Sequence, residues 1–285
     1  MNRSDCLRTP VLITGAKGML GSDLLELLSE EVGADQVFGT DLLELDITSG
    51  AAVREFVVRS KPKTIINAAA YTDVDKAETE RDKAYTLNVV GPEQLSAVSR
   101  EVGIKLFHFS TDHVFDGNQD RPWTEGDEPH PANYYAQTKL WGERPVLDLP
   151  GGLVLRIQWL YGRQKNRFTT LRQKRSFTPF SDQFGAPTST RKVSQIVIEL
   201  LKRDAGGIFH FAYDDHASWA EVFQFVKDEL QLETELYPTS TDSVTLPARR
   251  PKFSVLSNEK LRDFLGVSRI GSWKEDLGTF LRENG

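Results

Sequence analysis

Tyr135 and Lys139 stand four residues apart in Tyr-Ala-Gln-Thr-Lys, and Ser110-Thr111-Asp112 closes an apolar run upstream. On a helix, the spacing i, i+4 projects Tyr135 and Lys139 from one face. A free phenol titrates near ~10, too high for easy proton exchange at neutral pH. An ammonium beside it favours the phenolate and lowers that value. A Tyr so tuned can protonate a carbonyl oxygen as hydride arrives at its carbon. The Thr111 hydroxyl, at a strand end, can hold that oxygen in place. An amphipathic helix with a surface Lys has the same spacing, and a strand-end Thr is common in turns, so these residues need support from elsewhere.

Support comes from Val11-Leu12-Ile13-Thr14-Gly15-Ala16-Lys17-Gly18-Met19-Leu20-Gly21. A short apolar strand runs into glycines spaced by two residues, then into the helical pattern Leu20, Leu24, Leu27, Leu28. Glycines allow a tight turn and let backbone N–H groups approach a pyrophosphate at the helix N-terminus. The spacing is G-x-x-G-x-x-G rather than G-x-G-x-x-G. A second apolar segment, 36–40, ends at Asp41, twenty residues after Gly21. A carboxylate there can accept hydrogen bonds from an adenosine ribose. Each feature alone also fits a tight turn or a solvated acid; in this order they predict a dinucleotide site.

The elements that position these residues follow from the pattern. Helical periodicity through Val53, Phe56 and Val57 precedes an apolar strand at 64–67. Another stretch through Leu95, Val98 and Val102 precedes a strand at 105–110, and 153–157 is a fifth. Alternating strands and helices predict an α/β, doubly wound parallel sheet. Ligands in such sheets sit beyond the carboxyl ends of the strands. Gly15, Asp41, Asn67–Ala70, Ser110–Thr111 and Gln158–Trp159 all fall at such ends. From about Tyr161 the pattern changes to short strands (177–180, 208–212, 233–237) mixed with helices, one over 193–201 and one capped by Ser218. Trp219, Val222, Phe223 and Val226 of the latter read as core. The loop 238–251 is polar, Pro-bounded and carries Arg249 and Arg250.

The glycine loop with Tyr135-x-x-x-Lys139 resembles the extended short-chain dehydrogenase/reductase superfamily. Asn67-Ala68-Ala69-Ala70-Tyr71-Thr72-Asp73-Val74-Asp75-Lys76-Ala77-Glu78, Ser110-Thr111-Asp112-His113-Val114-Phe115-Asp116-Gly117, Thr138-Lys139-Leu140-Trp141-Gly142-Glu143 and Asp182-Gln183-Phe184-Gly185-Ala186-Pro187-Thr188 are similar to the dTDP-4-dehydrorhamnose reductase family. So is Arg249-Arg250-Pro251, followed by Ser254 and Leu256. The likeness runs from Val11 to about Leu256. The departures are local: His113 stands where the family usually has Tyr, Arg249 where it has Ser, and Phe253 where it has Asn.

The resemblance implies a Rossmann sheet in an NAD(P)-binding domain over 1–160. It implies a smaller mixed α/β, mainly substrate-binding region over 161–285, with about 190–215 returning to the first domain. It implies NAD(P)H-dependent reduction of the 4-keto group of dTDP-4-dehydro-L-rhamnose to dTDP-L-rhamnose, with Thr111, Tyr135 and Lys139 catalytic. NADH or NADPH would be held by Gly15, Lys17, Gly18, Met19, Leu20, Gly21, Asp41, Asp46 and Ile47. Ala68, Ala69, Ala70, Tyr71, Asn88, Ser110 and Gln158 would complete that site together with Tyr135 and Lys139. The nucleotide-diphosphate sugar would be met by Thr72, Val74, Thr111, Asp112, Trp159, Phe184 and Arg250. Some relatives carry a divalent ion such as Mg at a subunit contact, but no matching carboxylates are assignable here, and no metal ligands are predicted. The resemblance also allows a homodimer.

Composition sets the bounds. The chain has 285 residues, enough for one large or two closely joined domains, and 39% hydrophobic and 27% charged content is ordinary for a soluble protein. A net charge of −6 gives no electrostatic footprint for nucleic acid or a membrane surface. An anionic nucleotide sugar would therefore need local cations. Arg250 can meet a diphosphate bidentately, with Arg249 as the alternative. The single cysteine, Cys6, excludes an internal disulfide and fits a reducing compartment. No apolar run approaches the ~18–20 residues of a membrane span, and residues 1–10 are too short and polar for a signal peptide. A cytoplasmic enzyme is expected.

The remaining polar residues read as structural. Asp112 and Asp116 look loop-forming, since Tyr135 already fills the acid role. The five histidines show no metal-ligand spacing, and His108 and His113 read as structural. Trp159 and Phe184 suit either a ring-binding wall or the core. Ala68 to Ala70 are small either for cofactor approach or for packing. Two other functions share these features: a sugar-nucleotide epimerase, which would retain its NAD through purification, and a non-catalytic dinucleotide-binding regulatory subunit like that of methionine adenosyltransferase. The intact Thr111/Tyr135/Lys139 set argues against the latter.

Overall fold

Runs of Val, Ile, Leu and Phe set the centre of the molecule. Val11–Thr14 (β1), Val37–Thr40 (β2), Thr64–Asn67 (β3), Lys105–Thr111 (β4), Leu153–Ile157 (β5) and Gly207–His210 (β6) pair in parallel in the order β6-β5-β4-β3-β1-β2. The computed structural model describes residues 7–164 and 168–284, so Cys6 lies outside the described residues. The strand order reverses between β1 and β3, which opens a crevice at the carboxyl ends of the strands.

Because side chains alternate across a strand, each strand feeds two cores. Val11, Ile13, Ile66, Phe107, Phe109, Leu153, Leu155 and Ile157 face one way. They meet Met19–Val32 (α1), through Leu20, Leu24, Leu27 and Leu28, and the helix 190–202. Leu12, Ile65, Leu106 and Val154 face the other way, onto Gly50–Ser60 (α2) and the helix that follows β3. That helix is one rod in three parts: Arg81–Tyr85 (α3), a π turn at Thr86–Val90, and Gly91–Val102 (α4). Tyr134–Leu147 (α5) follows β4 and contributes Val146 to the second core.

Beyond β5 the elements shorten. Leu160–Tyr161 pairs with Thr188–Ser189, Ser176–Phe177 with Glu235–Leu236, and Phe184–Gly185 with Ala217–Ser218. The expected strands at 177–180 and 233–237 are thus two-residue pairs, and Phe180 makes only an isolated bridge to Thr239. Pro179 and Pro238 stand inside or beside these stretches and carry no N–H to extend a ladder. Thr190–Lys202 (α6) packs against α1, where the Thr190 hydroxyl donates to Asp23. It leads into β6, the outer neighbour of β5, which spans 207–210 where 208–212 was expected. Trp219–Glu229 (α7) starts with a capping box between Ser218 and Glu221, as the Ser at that position predicts. Glu259–Leu265 (α8) and Trp273–Asn284 (α9) close the chain. Among the described residues no helix is long and apolar enough to cross a membrane.

Candidate active site

A cleft of about 1130 Å³ opens at the carboxyl ends of the strands. One end is the glycine loop. Gly15 has φ +69, and a Cβ on it would lie 2.7 Å from the Ala69 nitrogen; a Cβ on Gly21 would lie 2.1 Å from the Gly15 oxygen. Only glycines let this loop pass so close to β3 and turn into α1. Gly18 precedes α1 without a side-chain cap, and Gly18, Met19, Leu20 and Gly21 line the cleft. The open N-terminus of α1 therefore faces the space where an anion would be favoured. Ala68 and Ala70 line the cleft as well, while Ala69 turns to the opposite core.

Lys17 and Asp41 stand outside the cleft wall, on exposed backbone beside the loop. The Asp41 carboxylate accepts the Lys17 N–H (3.2 Å) and its neighbour's at Leu42 (2.9 Å), while the Lys17 ammonium pairs with Glu44 at 2.6 Å. Asp46 caps Thr48, and Ile47 is buried in the second core. Tyr71 is also off the cleft: its phenol donates to Glu80 and its N–H to Asn88. Asn88 sits on the π turn. Its amide binds both polar atoms of the Tyr71 backbone and the Thr138 hydroxyl (2.8, 3.0 and 3.0 Å). Asn88 thus braces the chain leaving β3 against α5, although it does not line the cleft.

The middle of the cleft carries the residues expected to transfer a proton. Asn133 caps α5 by accepting the Ala136 N–H at 2.8 Å, and its amide donates to the Arg249 carbonyl at 2.9 Å. The helix then presents Tyr135, Lys139 and Glu143 at successive i+4 positions. Tyr135 and Lys139 line the cleft together with Ser110, Thr111, Asp112 and His113. Thr111 donates to Asp112 (3.0 Å), accepts the His113 N–H (3.2 Å) and reaches the Tyr135 phenol. His113 lies edge-on to Tyr135 with ring centres 6.2 Å apart.

The expected tuning of Tyr135 is not what the structure shows. Desolvation, then the Asp112 charge, hold the phenol above its ordinary value, and only Thr111 opposes them. The Lys139 side-chain nitrogen instead faces His108, 3.3 Å from Nε2. Burial lowers Lys139 from 10.5 to about 8, with Glu143 partly opposing. Burial also raises the Asp112 carboxyl, which Ser254 stabilises by donating a hydrogen bond.

Behind Ser110 lies a network the sequence reading did not identify. Ser110 donates to Glu143, which accepts two bonds from Arg156 (2.9 and 2.7 Å). Both members of this ion pair are nearly fully buried, at 2% and 3% exposure. Arg156 also approaches His210, whose ring meets the Trp123 carbonyl. The signal was present, since a charge inside Leu-Val-Leu-Arg-Ile demands a buried partner.

The far end of the cleft is walled by residues expected to meet the sugar nucleotide. Thr72, Val74, Asp112, Trp159 and Arg250, all expected to contact the sugar nucleotide, line it. Trp159 has φ +42, a left-handed backbone unusual outside glycine, and its ring stacks on Trp219 at 3.8 Å. Gln158 lines the cleft with a nearly fully buried amide that lacks a hydrogen-bond partner. Phe184 does not line the cleft. In its short strand it pairs with Ser218 and turns its ring towards Phe253, leaving Gln183 to face inward. Arg250 is held by Asp75 at 3.0 Å and by the Ala248 carbonyl at 2.8 Å, whereas Arg249 is exposed and away from the cleft. Lys174, not anticipated, adds a second cation to this wall. Among the described residues no group of three His, Cys, Asp or Glu is placed to hold a metal ion.

The family described as "RmlD substrate binding domain" matches residues 9–285. A dTDP-4-keto-6-deoxy-D-glucose reductase from Streptomyces niveus is 36% identical, over 93% of this chain and 94% of its own. A dTDP-4-dehydrorhamnose reductase from Aggregatibacter actinomycetemcomitans is also 36% identical, over 94% and 96%. A solved structure of the Bacillus anthracis dTDP-4-dehydrorhamnose reductase in complex with NADP is similar, with TM-score 0.90, 33% identity, and coverage of 96% and 98%.

Proposed function

Because the chain belongs to the dTDP-4-dehydrorhamnose reductase family, we propose that it reduces the 4-keto group of dTDP-4-dehydro-L-rhamnose to dTDP-L-rhamnose with NAD(P)H, Tyr135 donating the proton. It is an NAD(P)H-dependent oxidoreductase of a dTDP-linked keto sugar. The observation that supports the site assignment most is the placement of Thr111, Tyr135 and Lys139 on one wall of a cleft that the glycine loop closes at its end.

The residues present fit a dinucleotide. The close contacts at Gly15 and Gly21, the uncapped start of α1 and the Asp41 carboxylate oriented by Lys17 form a cradle that side chains would fill. Gly15, Gly18 and Gly21 with the backbone of Met19 and Leu20 would hold the pyrophosphate, and Asp41 the adenosine ribose. When bound, NAD(P)H supplies the hydride. Tyr135 holds a proton at its phenol oxygen, the state a donor needs, although its upward shift makes it a weaker acid than a free phenol. Thr111 holds the substrate oxygen beside that phenol. Lys139 orients the ribose next to the nicotinamide. Residues 1–160 build this cofactor half and add Thr72 and Trp159 to the substrate side, while 161–285 mainly bind the sugar nucleotide, with Arg250 as a contact and about 190–215 returning to the first domain. Asp46, Ile47, Ala69, Tyr71 and Asn88 support the cofactor pocket from behind its wall.

A cytoplasmic location and assembly as a homodimer belong to the same proposal; light scattering on the purified protein tests the latter. The function itself is tested by following nicotinamide absorbance with NADH and NADPH. The sugars are dTDP-4-dehydro-L-rhamnose and dTDP-4-keto-6-deoxy-D-glucose, the latter because of the Streptomyces relative's name. Turnover of the first is expected. Turnover of the second alone would move the substrate, and oxidation with neither would overturn the assignment.

A further inference from the structure

Three strands of the sheet carry polar residues at one level. Thr14 on β1 stands opposite Asn67 on β3, and Asn67 opposite His108 on β4. Their side chains bond in a row that continues to α5. Thr14 Oγ1 meets Asn67 Oδ1 at 2.7 Å, Asn67 Nδ2 meets His108 Nδ1 at 3.0 Å, and His108 Nε2 meets Lys139 Nζ at 3.3 Å. All four residues are at most 3% exposed. The row leads from the residue before the glycine loop to the amine in the cleft. We propose that His108 is a positioning residue that holds the Lys139 amine through Nε2 and exchanges tautomer as that amine gains or loses its proton. The proposal rests on the reading of Lys139 as part of the reductase site.

The donor and acceptor count supports this role. Burial, then the Lys139 charge, keep His108 neutral, so one ring nitrogen donates while the other accepts. An ammonium at Lys139 has only donors. His108 Nε2 must then accept, and Nδ1–H must find the Asn67 amide oxygen, with the Asn67 NH2 turned to Thr14. A neutral amine at Lys139 reverses every bond: the Thr14 hydroxyl donates to Asn67, Asn67 to Nδ1, and Nε2–H to Lys139. Thr, Asn and neutral His each carry both donor and acceptor capacity, so the row is satisfied in either state. An apolar residue at any of these positions would leave a buried polar neighbour unpaired.

Few other charges compete. Among the described residues, Lys139 is the charged group that acts on His108. Lys139 faces His108 from β4, with Glu143 and Tyr135 on its own helix. Glu143 is committed to Arg156 on β5 and to Ser110, and Asp112 acts on Tyr135. Lys139 titrating at about 8 brings both states of the row within reach near neutral pH.

Two measurements test the proposal without turnover. In wild-type protein labelled with ¹⁵N-histidine, the His108 ring nitrogens are followed by NMR across about pH 6.5 to 9.5, bracketing 8. The expected result is a tautomer exchange from Nδ1–H to Nε2–H with the midpoint of Lys139. The Lys139 midpoint itself is read by competitive acetylation and peptide mass. It should fall by about one unit in His108→Phe, which loses the acceptor, and stay within about half a unit in His108→Gln, which keeps one. A His108 tautomer that stays fixed while Lys139 titrates overturns the proposal, and so does an unchanged midpoint in His108→Phe. The NMR arm uses the wild-type chain and decides the matter if His108→Phe does not fold. If the wild type reduces no keto sugar yet shows both results, the functional reading falls and the His108–Lys139 coupling stands.

Discussion

Replacing Arg250 by Ala tests whether the cleft's far wall holds the substrate diphosphate. Arg250 is about four-fifths buried, at 19% side-chain exposure, and each terminal nitrogen of its guanidinium has one partner, the Asp75 carboxylate or the Ala248 carbonyl. A charge-assisted hydrogen bond to a phosphate contributes about 1.5–3 kcal/mol. At ~1.4 kcal/mol per tenfold, its loss raises substrate KM by roughly 10- to 150-fold. The Asp75 carboxylate, left alone beside the diphosphate, pushes the effect towards the upper end. The fold should survive, because a pair exposed at 19% and 40% contributes at most about 1 kcal/mol. The proposed cofactor site lies at the other end of the cleft, so NADH Kd should stay within about twofold. Arg249→Ala is the control: that side chain is exposed, and the Asn133 amide uses only its carbonyl, which Ala keeps. The assay is initial-rate kinetics with the keto-sugar nucleotide beside NADH titration of each variant. An unchanged KM in Arg250→Ala would falsify the diphosphate assignment and turn attention to Lys174. A matching loss in NADH affinity would show that Arg250 supports the whole cleft rather than the substrate.

Tyr135→Phe should bind NADH as the wild type does and lose about 10²- to 10⁴-fold in kcat; a kcat near wild type would remove the phenol from the reaction. Asp41→Ala should shift the ratio of kcat/KM values towards NADPH, because the carboxylate that repels a 2′-phosphate is gone. An unchanged ratio would mean that Asp41 does not touch the ribose. Lys139 has a folded-state value of about 8 against an ordinary 10.5. The unfolded chain therefore binds the extra proton between those values, and the stability penalty is fully present below about pH 8 and fades as pH rises towards 10.5. Lys139→Met should be more stable than the wild type at pH 7, by up to roughly 3 kcal/mol, with the gap closing above pH 8. Urea denaturation across pH measures it, and a gap that does not narrow with rising pH rules out the buried amine as its source.

The helix bearing Tyr135 and Lys139 and the glycine loop were legible because the chemistry expected of them depends on spacing along one element. Tyr135 and Lys139 share a helix face by geometry alone, and Gly15, Gly18 and Gly21 lie in one turn. The buried supports were not legible in the same way. Glu143, Arg156 and Ser110 come from three segments that meet only when the sheet forms. His108 read as structural because its partner Lys139 lies 31 residues on and faces it only across β4 and α5. The direction of the Tyr135 shift was misjudged because a sequence shows which charges are near in the chain but not how much water is removed. Phe184 was misplaced for a smaller reason: in a two-residue strand, one step of register exchanges the inward side chain for the outward one. Arg249 and Arg250 could be told apart only once the loop had a backbone.

A one-residue deletion anywhere in 86–90 would let the rod through α3 and α4 become regular. The π turn carries one residue more than an α turn, and the Gly91 N–H reaches back to the Thr86 carbonyl across it. Removing that residue turns everything on one side of the deletion by about 100° relative to the other. Asn88 would then swing away from Tyr71 and Thr138 together, and the close passage of Gly142 over the Asn88 carbonyl, where a Cβ would sit 2.2 Å away, would open. Viable descendants of this chain can therefore exchange side chains along this rod far more readily than they can change its length.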